Sequence, residues 1–259
     1  MKAFQKTKKM MVGLLACLAA MYSAEEAQAT VAKENRVLVV ISELDSRSAP
    51  ELRPLYTALE GLTQATTQGI LQNSYRSIHF LKNSQATPQA MGTMLRTLAR
   101  NPSILAIDTI LSVHGSPGVL HFADGAHSMA AVERAIVPAG MSATDRAALK
   151  RKLRVMYNLS CYGRSHNRTF SDLGFDIVAG SNLINANSQV EFVPVLTNWA
   201  AGGKFVDGFI PSNTAAALAM ADAPIRLAGQ LGGNSLVDTD SKKFFIGQSA
   251  VRINSDARP

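Results

Sequence analysis

The 259 residues are 47% hydrophobic and 17% charged, with 18 Gly and 10 Pro, a balance that excludes a disordered chain, a collagen-like repeat and a long coiled coil. The formal net charge of +7 is a mild excess. No stripe of basic residues interleaved with aromatics accompanies it, so nucleic acid is not an expected partner. Lys2, Lys6, Lys8 and Lys9 precede an apolar run from Met10 to Tyr22, and a polar stretch then closes on Ala27-Gln28-Ala29. That order is the three-part plan of a secretory signal peptide over residues 1–29. The run falls short of the about 20 apolar residues that a membrane-spanning helix needs, so no integral membrane segment is expected once the signal is removed. Cleavage after Ala29 predicts a chain of residues 30–259, periplasmic or secreted, with a formal charge of +5 once Lys2, Lys6, Lys8, Lys9, Glu25 and Glu26 are lost.

Along the rest of the chain, apolar runs of strand length alternate with segments of helical period, which predicts an α/β fold: a three-layer α/β/α sandwich with a mostly parallel sheet. Arg36 to Ser42 reads as a central strand, apolar on both faces. Glu51 to Gln72 carries Leu52, Leu55, Leu59, Leu62 and Ile70 in an interrupted helical pattern, with Pro50 and Pro54 marking its start. Ser77 to Leu81 is a short strand, and Pro88 to Arg100 a helix with Thr87 as its N-cap. A strand from Asp108 to Val113 ends in His114-Gly115. Val119 to Phe122 and Asp124-Gly125 suggest a hairpin, and Ser142 to Leu153 a helix. Arg146, Lys150, Arg151, Lys152 and Arg154, with Asp145 among them, read as a solvated helix end. Arg154 to Leu159 is the next strand and leads into Ser160-Cys161. Phe175 to Ala179 is another, and the remainder is a helical extension with a Gly-rich tail ending in a short pair of strands.

Two reactive side chains therefore leave the carboxyl ends of successive strands, where open α/β sheets place their ligand chemistry. The chain has two cysteines. Cys17 lies in the signal, so Cys161 has no disulfide partner in the exported chain. Leu14-Leu15-Ala16-Cys17 loosely matches a lipoprotein cleavage box, but Leu15 is a poor fit and the apolar run continues past the cysteine. A thiol beside an imidazole able to take its proton is the minimal device for nucleophilic acyl transfer. Arg164, His166 and Arg168 follow Cys161 closely and predict a thiol pKa below the ordinary value.

The pattern of an apolar strand ending in His-Gly (LSVHGSPG, 111 to 118), then one crossover later an apolar strand ending in a Cys followed by Gly (MYNLSCYG, 156 to 163), resembles the caspase-like cysteine peptidases. That family includes the legumains, gingipains, metacaspases and bacterial CHAT domains. Gly118-Val119-Leu120 and Asp124-Gly125 are similar to the family's hairpin after the His. The resemblance covers roughly Arg36 to Ser181. It implies a caspase-like catalytic domain that cleaves a peptide or protein substrate through a thioester, with no cofactor and no metal. His114 would be the general base and acid, Cys161 the nucleophile, and the main-chain N–H groups of Gly115 and Cys161 the oxyanion hole. Gly115 would let a substrate carbonyl approach the main chain closely. Leu159 stands where metacaspases carry Asp and caspases Gln. Specificity residues in the family often follow the first strand, where this chain offers Glu43, Asp45 and Arg47. Asp45 and Glu43 would select a basic side chain, Arg47 an acidic one.

Other chemistries fit less well. His-Gly-Ser-Pro-Gly (114 to 118) looks like an α/β-hydrolase oxyanion loop, but the elbow's Gly two residues before the nucleophile is Leu159, and no His follows His166. His114, His121, Asp124 and His127 fall close together with spacings that match no familiar zinc motif. The alternative from a different class is a caspase-like domain that has lost catalysis and binds a peptide or protein partner, with Trp199 either lining a groove or buried in the core.

Overall fold

The computed structural model describes residues 30–255, apart from 47, 49, 186 and 187 and the side chain of Gln189. The expected signal peptide, the Cys17 box and Arg47 lie outside the described residues. The described residues from Val31 onward belong to one compact unit.

The strands are β1 (Arg36–Glu43), β2 (Ser77–Lys82), β3 (Ala106–Ser116), β4 (Val119–Phe122), β5 (Gly125–Ser128), β6 (Leu153–Asn158), β7 (Ile177–Ser181) and β8 (Lys243–Gly247). The helices are α1 (Arg53–Leu71), α2 (Pro88–Arg100), α3 (Met129–Ile136), α4 (Ala143–Lys152), α5 (Arg164–Leu173), α6 (Ser188–Ala200) and α7 (Ala215–Gly232). The main sheet runs β2-β1-β3-β6-β7-β8, parallel except for β8, which pairs antiparallel with β7.

β1 is buried along its whole length because helices cover both faces of the sheet. Val37, Val39 and Ile41 pack with Leu95 of α2, Val132 of α3 and Phe170 of α5. Leu38 and Val40, on the alternate face, pack with Leu71 of α1 and Phe192 and Trp199 of α6. The result is a three-layer α/β/α arrangement. Trp199 belongs to the second core and donates its indole N–H to the Tyr75 hydroxyl at 2.8 Å.

Several expectations need correction. β3 does not stop at Val113: His114, Gly115 and Ser116 pair with His121, Leu120 and Val119, so the β4–β5 hairpin lengthens the strand. Helix α3 was not anticipated; Ser128 caps it by accepting from Ala131. The tail contributes one strand, β8, which finds its partner in β7. The buried side of helix α1 is not centred on its leucines: Leu52, just before the helix, Leu55 and Leu62 are exposed and Leu59 and Ile70 half-buried, while Glu60, Thr63, Thr67 and Leu71 are buried. The buried threonines cost little because their hydroxyls donate to carbonyls four residues back, Thr63 to Leu59 and Thr67 to Thr63.

Arg154 is not part of a solvated helix end. It is fully buried, paired with the Asp108 carboxylate, and donates to the Ile253 and Ser255 carbonyls at 2.8 and 2.6 Å. Tyr75 donates to the same carboxylate at 2.7 Å. This buried charge cluster fastens the C-terminal segment to the amino end of the sheet, away from the strand ends that carry His114 and Cys161. Among the described residues, no helix is long and apolar enough to cross a membrane.

Candidate active site

His114 sits on the face of β3 that α1 covers. Its ring packs edge-on against Tyr56 of α1, with centroids 4.8 Å apart. Nε2 lies 2.8 Å from the Leu44 carbonyl and 3.2 Å from Ser48 Oγ, both in the loop after β1. A carbonyl only accepts, so the neutral ring carries its proton on Nε2 and leaves Nδ1 as the basic nitrogen. Burial, opposed by the Leu44 carbonyl, holds the imidazole below its ordinary pKa.

Cys161 lies in the turn between β6 and α5, half-buried, as a free thiol. The turn is held on several sides. Ser160, buried beneath it, donates to Asn158 Oδ1, and the Ser160 carbonyl accepts from Ser181 Oγ at 3.0 Å. Asn185 donates its side-chain amide to the Leu159 carbonyl at 2.8 Å and its main-chain N–H to the Cys161 sulfur at 3.4 Å. Tyr162 has φ of 55°, in the left-handed region, and its N–H is anchored on the Leu183 carbonyl at 2.6 Å. A non-glycine residue held there costs about 1 kcal/mol or more, and the anchor fixes the reversal that presents the thiol.

The two strand ends meet through the main chain. A β-carbon built on Gly115 would stand 2.4 Å from the Cys161 carbonyl oxygen and 3.0 Å from the Ser160 β-carbon. The close approach that requires glycine at 115 is thus to the protein's own main chain at Cys161. Two further bonds lace the His strand to the start of α5: Gly118 N–H to Ser165 Oγ at 2.9 Å, and His166 Nε2 to the Ser116 carbonyl at 2.9 Å. Among the described residues no hydrogen bond joins His114 to Cys161. Tyr56 is a shared neighbour, packed on His114 and close enough to Cys161 for the thiolate to disfavour ionisation of its phenol, which burial raises first.

The charge around the thiol differs from expectation. Burial pushes the Cys161 pKa up, against smaller lowering effects from the Asn185 N–H, Lys243 and the Cys161 N–H itself. None of the three nearby basic residues acts on it: Arg164 donates to Asn182 and lies over the Phe244 ring, Arg168 pairs with Asp172, and His166 is wholly buried. The cation that does act is Lys243 of β8, which sequence reasoning missed. Its buried ammonium pairs with Glu191 of α6 at 2.6 Å and donates to Asn185 Oδ1 at 3.0 Å. Tyr157 donates to the same Glu191 carboxylate at 2.9 Å. No local signal marked this group, because it assembles only when β8 pairs with β7.

Glu43, Asp45 and Glu60 gather at the end of β1. Glu43 registers with Val113 and shares its face of the sheet, opposite to that of His114. Asp45 is half-buried beside it. The histidines weighed for metal do not converge: His127 pairs with Asp124 at 2.9 Å, His121 with Ser116 Oγ at 3.2 Å, and His114 with Leu44.

No protein-family model matches the chain, and no curated protein matches its sequence.

Proposed function

We propose that the protein is an exported, caspase-like cysteine peptidase in which Cys161 attacks a peptide carbonyl and His114 relays the protons. The observation that carries this reading is the packing of Gly115 on the Cys161 carbonyl, which makes neighbours of the chain segments bearing an imidazole and a free thiol at the carboxyl ends of adjacent parallel strands. The tautomer set by Leu44 suits the role, since Nδ1 is then free to take the thiol proton. In the first step the sulfur bonds to the carbonyl carbon, the C–N bond breaks, and the imidazolium returns its proton to the leaving amine. Water, giving a proton to Nδ1, then cleaves the thioester to the acid and restores the thiol. The Gly115 and Cys161 N–H groups are the candidates for holding the oxyanion.

The raised thiol pKa and the missing His114–Cys161 hydrogen bond favour a second reading, a caspase-like domain that binds a peptide or protein without cutting it. Turnover separates the two. Cys161→Ala and His114→Ala should each abolish cleavage of a mixed peptide library while retaining the wild-type circular dichroism spectrum. No cleavage by the wild type, with or without limited proteolysis to remove a propeptide, would replace the peptidase with the binding domain.

A further inference from the structure

The carboxylates at the end of β1 are the one group among the described residues whose geometry suits a metal ion. Glu43, Asp45 and Glu60 each present an oxygen within 4.8 Å of the others. Oxygens bound to one Ca²⁺ at about 2.3–2.6 Å stand no more than about 5 Å apart, so a single ion can touch all three. Glu43 and Glu60 are almost wholly buried, at 1% and 4% exposure. Two buried carboxylates beside a third require either protons or a cation. Among the described residues, no Lys, Arg or His forms an ion pair with any of them.

A separate observation points to a ligand. Glu60 Oε1 is committed to the N–H groups of Leu44 and Asp45, and Glu43 Oε1 to that of Ser46. Among the described residues Glu43 Oε2, buried in the same group, has no hydrogen-bond partner. A buried carboxylate oxygen without a donor is costly, and a cation would satisfy it. Glu43 and Asp45 also line an open pocket with Ser46, Asn83, Ser84 and Ala123, which supplies neutral oxygens and room for water.

We propose that Glu43, Asp45 and Glu60 form a binding site for a hard divalent cation, with Ca²⁺ the best fit. An all-oxygen set without His or Cys selects hard ions, and an irregular set open to water on one side suits the flexible coordination of Ca²⁺ better than the strict octahedron of Mg²⁺. The site would take the place of the expectation of no metal and gives Glu43 and Asp45 a role other than the specificity residues that the resemblance implies. It does not depend on the peptidase reading. The loop is nonetheless shared: Glu60 takes the Leu44 N–H while the Leu44 carbonyl takes His114 Nε2.

The test uses the purified full chain, stripped with a chelator and titrated separately with CaCl₂ and MgCl₂ while heat release and melting temperature are followed. The expected result is saturable binding of one Ca²⁺ per chain, tighter than that of Mg²⁺, with a raised melting temperature. Asp45→Asn, half-exposed and expected to fold, and Glu60→Gln should each weaken Ca²⁺ binding by about tenfold or more, the loss of at least about 1.4 kcal/mol. The proposal is overturned by no saturable Ca²⁺ binding up to about 5 mM, just above the weakest range of protein Ca²⁺ sites. Such a result would mean that a shared proton, not a metal, neutralises the group. Wild-type affinity in either variant would overturn it equally.

Discussion

Gly115 lies directly against the main-chain carbonyl of Cys161, so the residue after the candidate base and the candidate nucleophile are in contact through backbone rather than side chain. Any side chain at 115 has to push the β3 and β6 ends apart. Gly115→Ala should therefore destabilise the fold by about 1–3 kcal/mol, the usual range for an overpacked site. Urea unfolding would measure it. A change within about 0.5 kcal/mol, as for an ordinary surface substitution, would mean that the strand ends are not held as tightly as the contact implies.

The thiol should behave as a buried group partly relieved by Lys243. Alkylation of Cys161 followed against pH should show a midpoint above the ordinary value of about 8.5. Lys243→Met removes the lowering charge and leaves the Glu191 carboxylate nearby, so the midpoint should move further up. An unchanged or lower midpoint in the variant would detach Lys243 from the thiol.

His166 offers a stability prediction with a definite sign. Burial holds its imidazole below the ordinary pKa, ahead of the opposing support from the Ser116 and Val119 carbonyls. The unfolded chain therefore takes up the proton first as pH falls, so the contribution is present above about pH 6.5 and is lost as pH drops from there towards the folded value. Urea unfolding should find His166→Asn less stable than wild type at about pH 8, with the gap narrowing at about pH 5. A gap that widens on acidification would contradict the assignment.

The Arg154–Asp108 pair should be costly to break. Arg154→Ala strips the buried Asp108 carboxylate of its ion-pair partner and leaves the Ser255 carbonyl without that donor, while the Ile253 carbonyl keeps its bond from Arg36, with an expected loss of about 3–5 kcal/mol. Arg154→Met with Asp108→Asn should lose less than Arg154→Ala alone, because no charge is then stranded. Thermal unfolding of the three proteins makes the comparison.

Much of the scaffold was legible because buried parallel strands are nearly continuous apolar runs. Residues 36–42 and 154–159 announced β1 and β6 in this way, and Thr87 announced the start of α2. Residues whose environment is set by distant chain were not legible. The leucines of α1 did not mark the centre of its buried side, because Thr63 and Thr67 satisfy their hydroxyls within the helix and become acceptable core residues. Arg154 looked solvated beside Lys150, Arg151 and Lys152; its partner Asp108 stands on a neighbouring strand across a register shift. His114 and Cys161 were visible as strand-end residues. Tyr56, Asn185 and Lys243, which surround them, arrive from α1, the loop after β7 and the antiparallel strand β8.

The most direct measurement for the central claim is labelling of the purified protein with peptide-based thiol-reactive probes carrying basic, acidic and amide terminal residues, read by mass spectrometry of the modified peptide. The peptidase account predicts that at least one probe modifies Cys161 faster than iodoacetamide does at equal concentration, and that His114→Ala removes the advantage. Equal, slow modification by every probe, unaffected by His114→Ala, would contradict it.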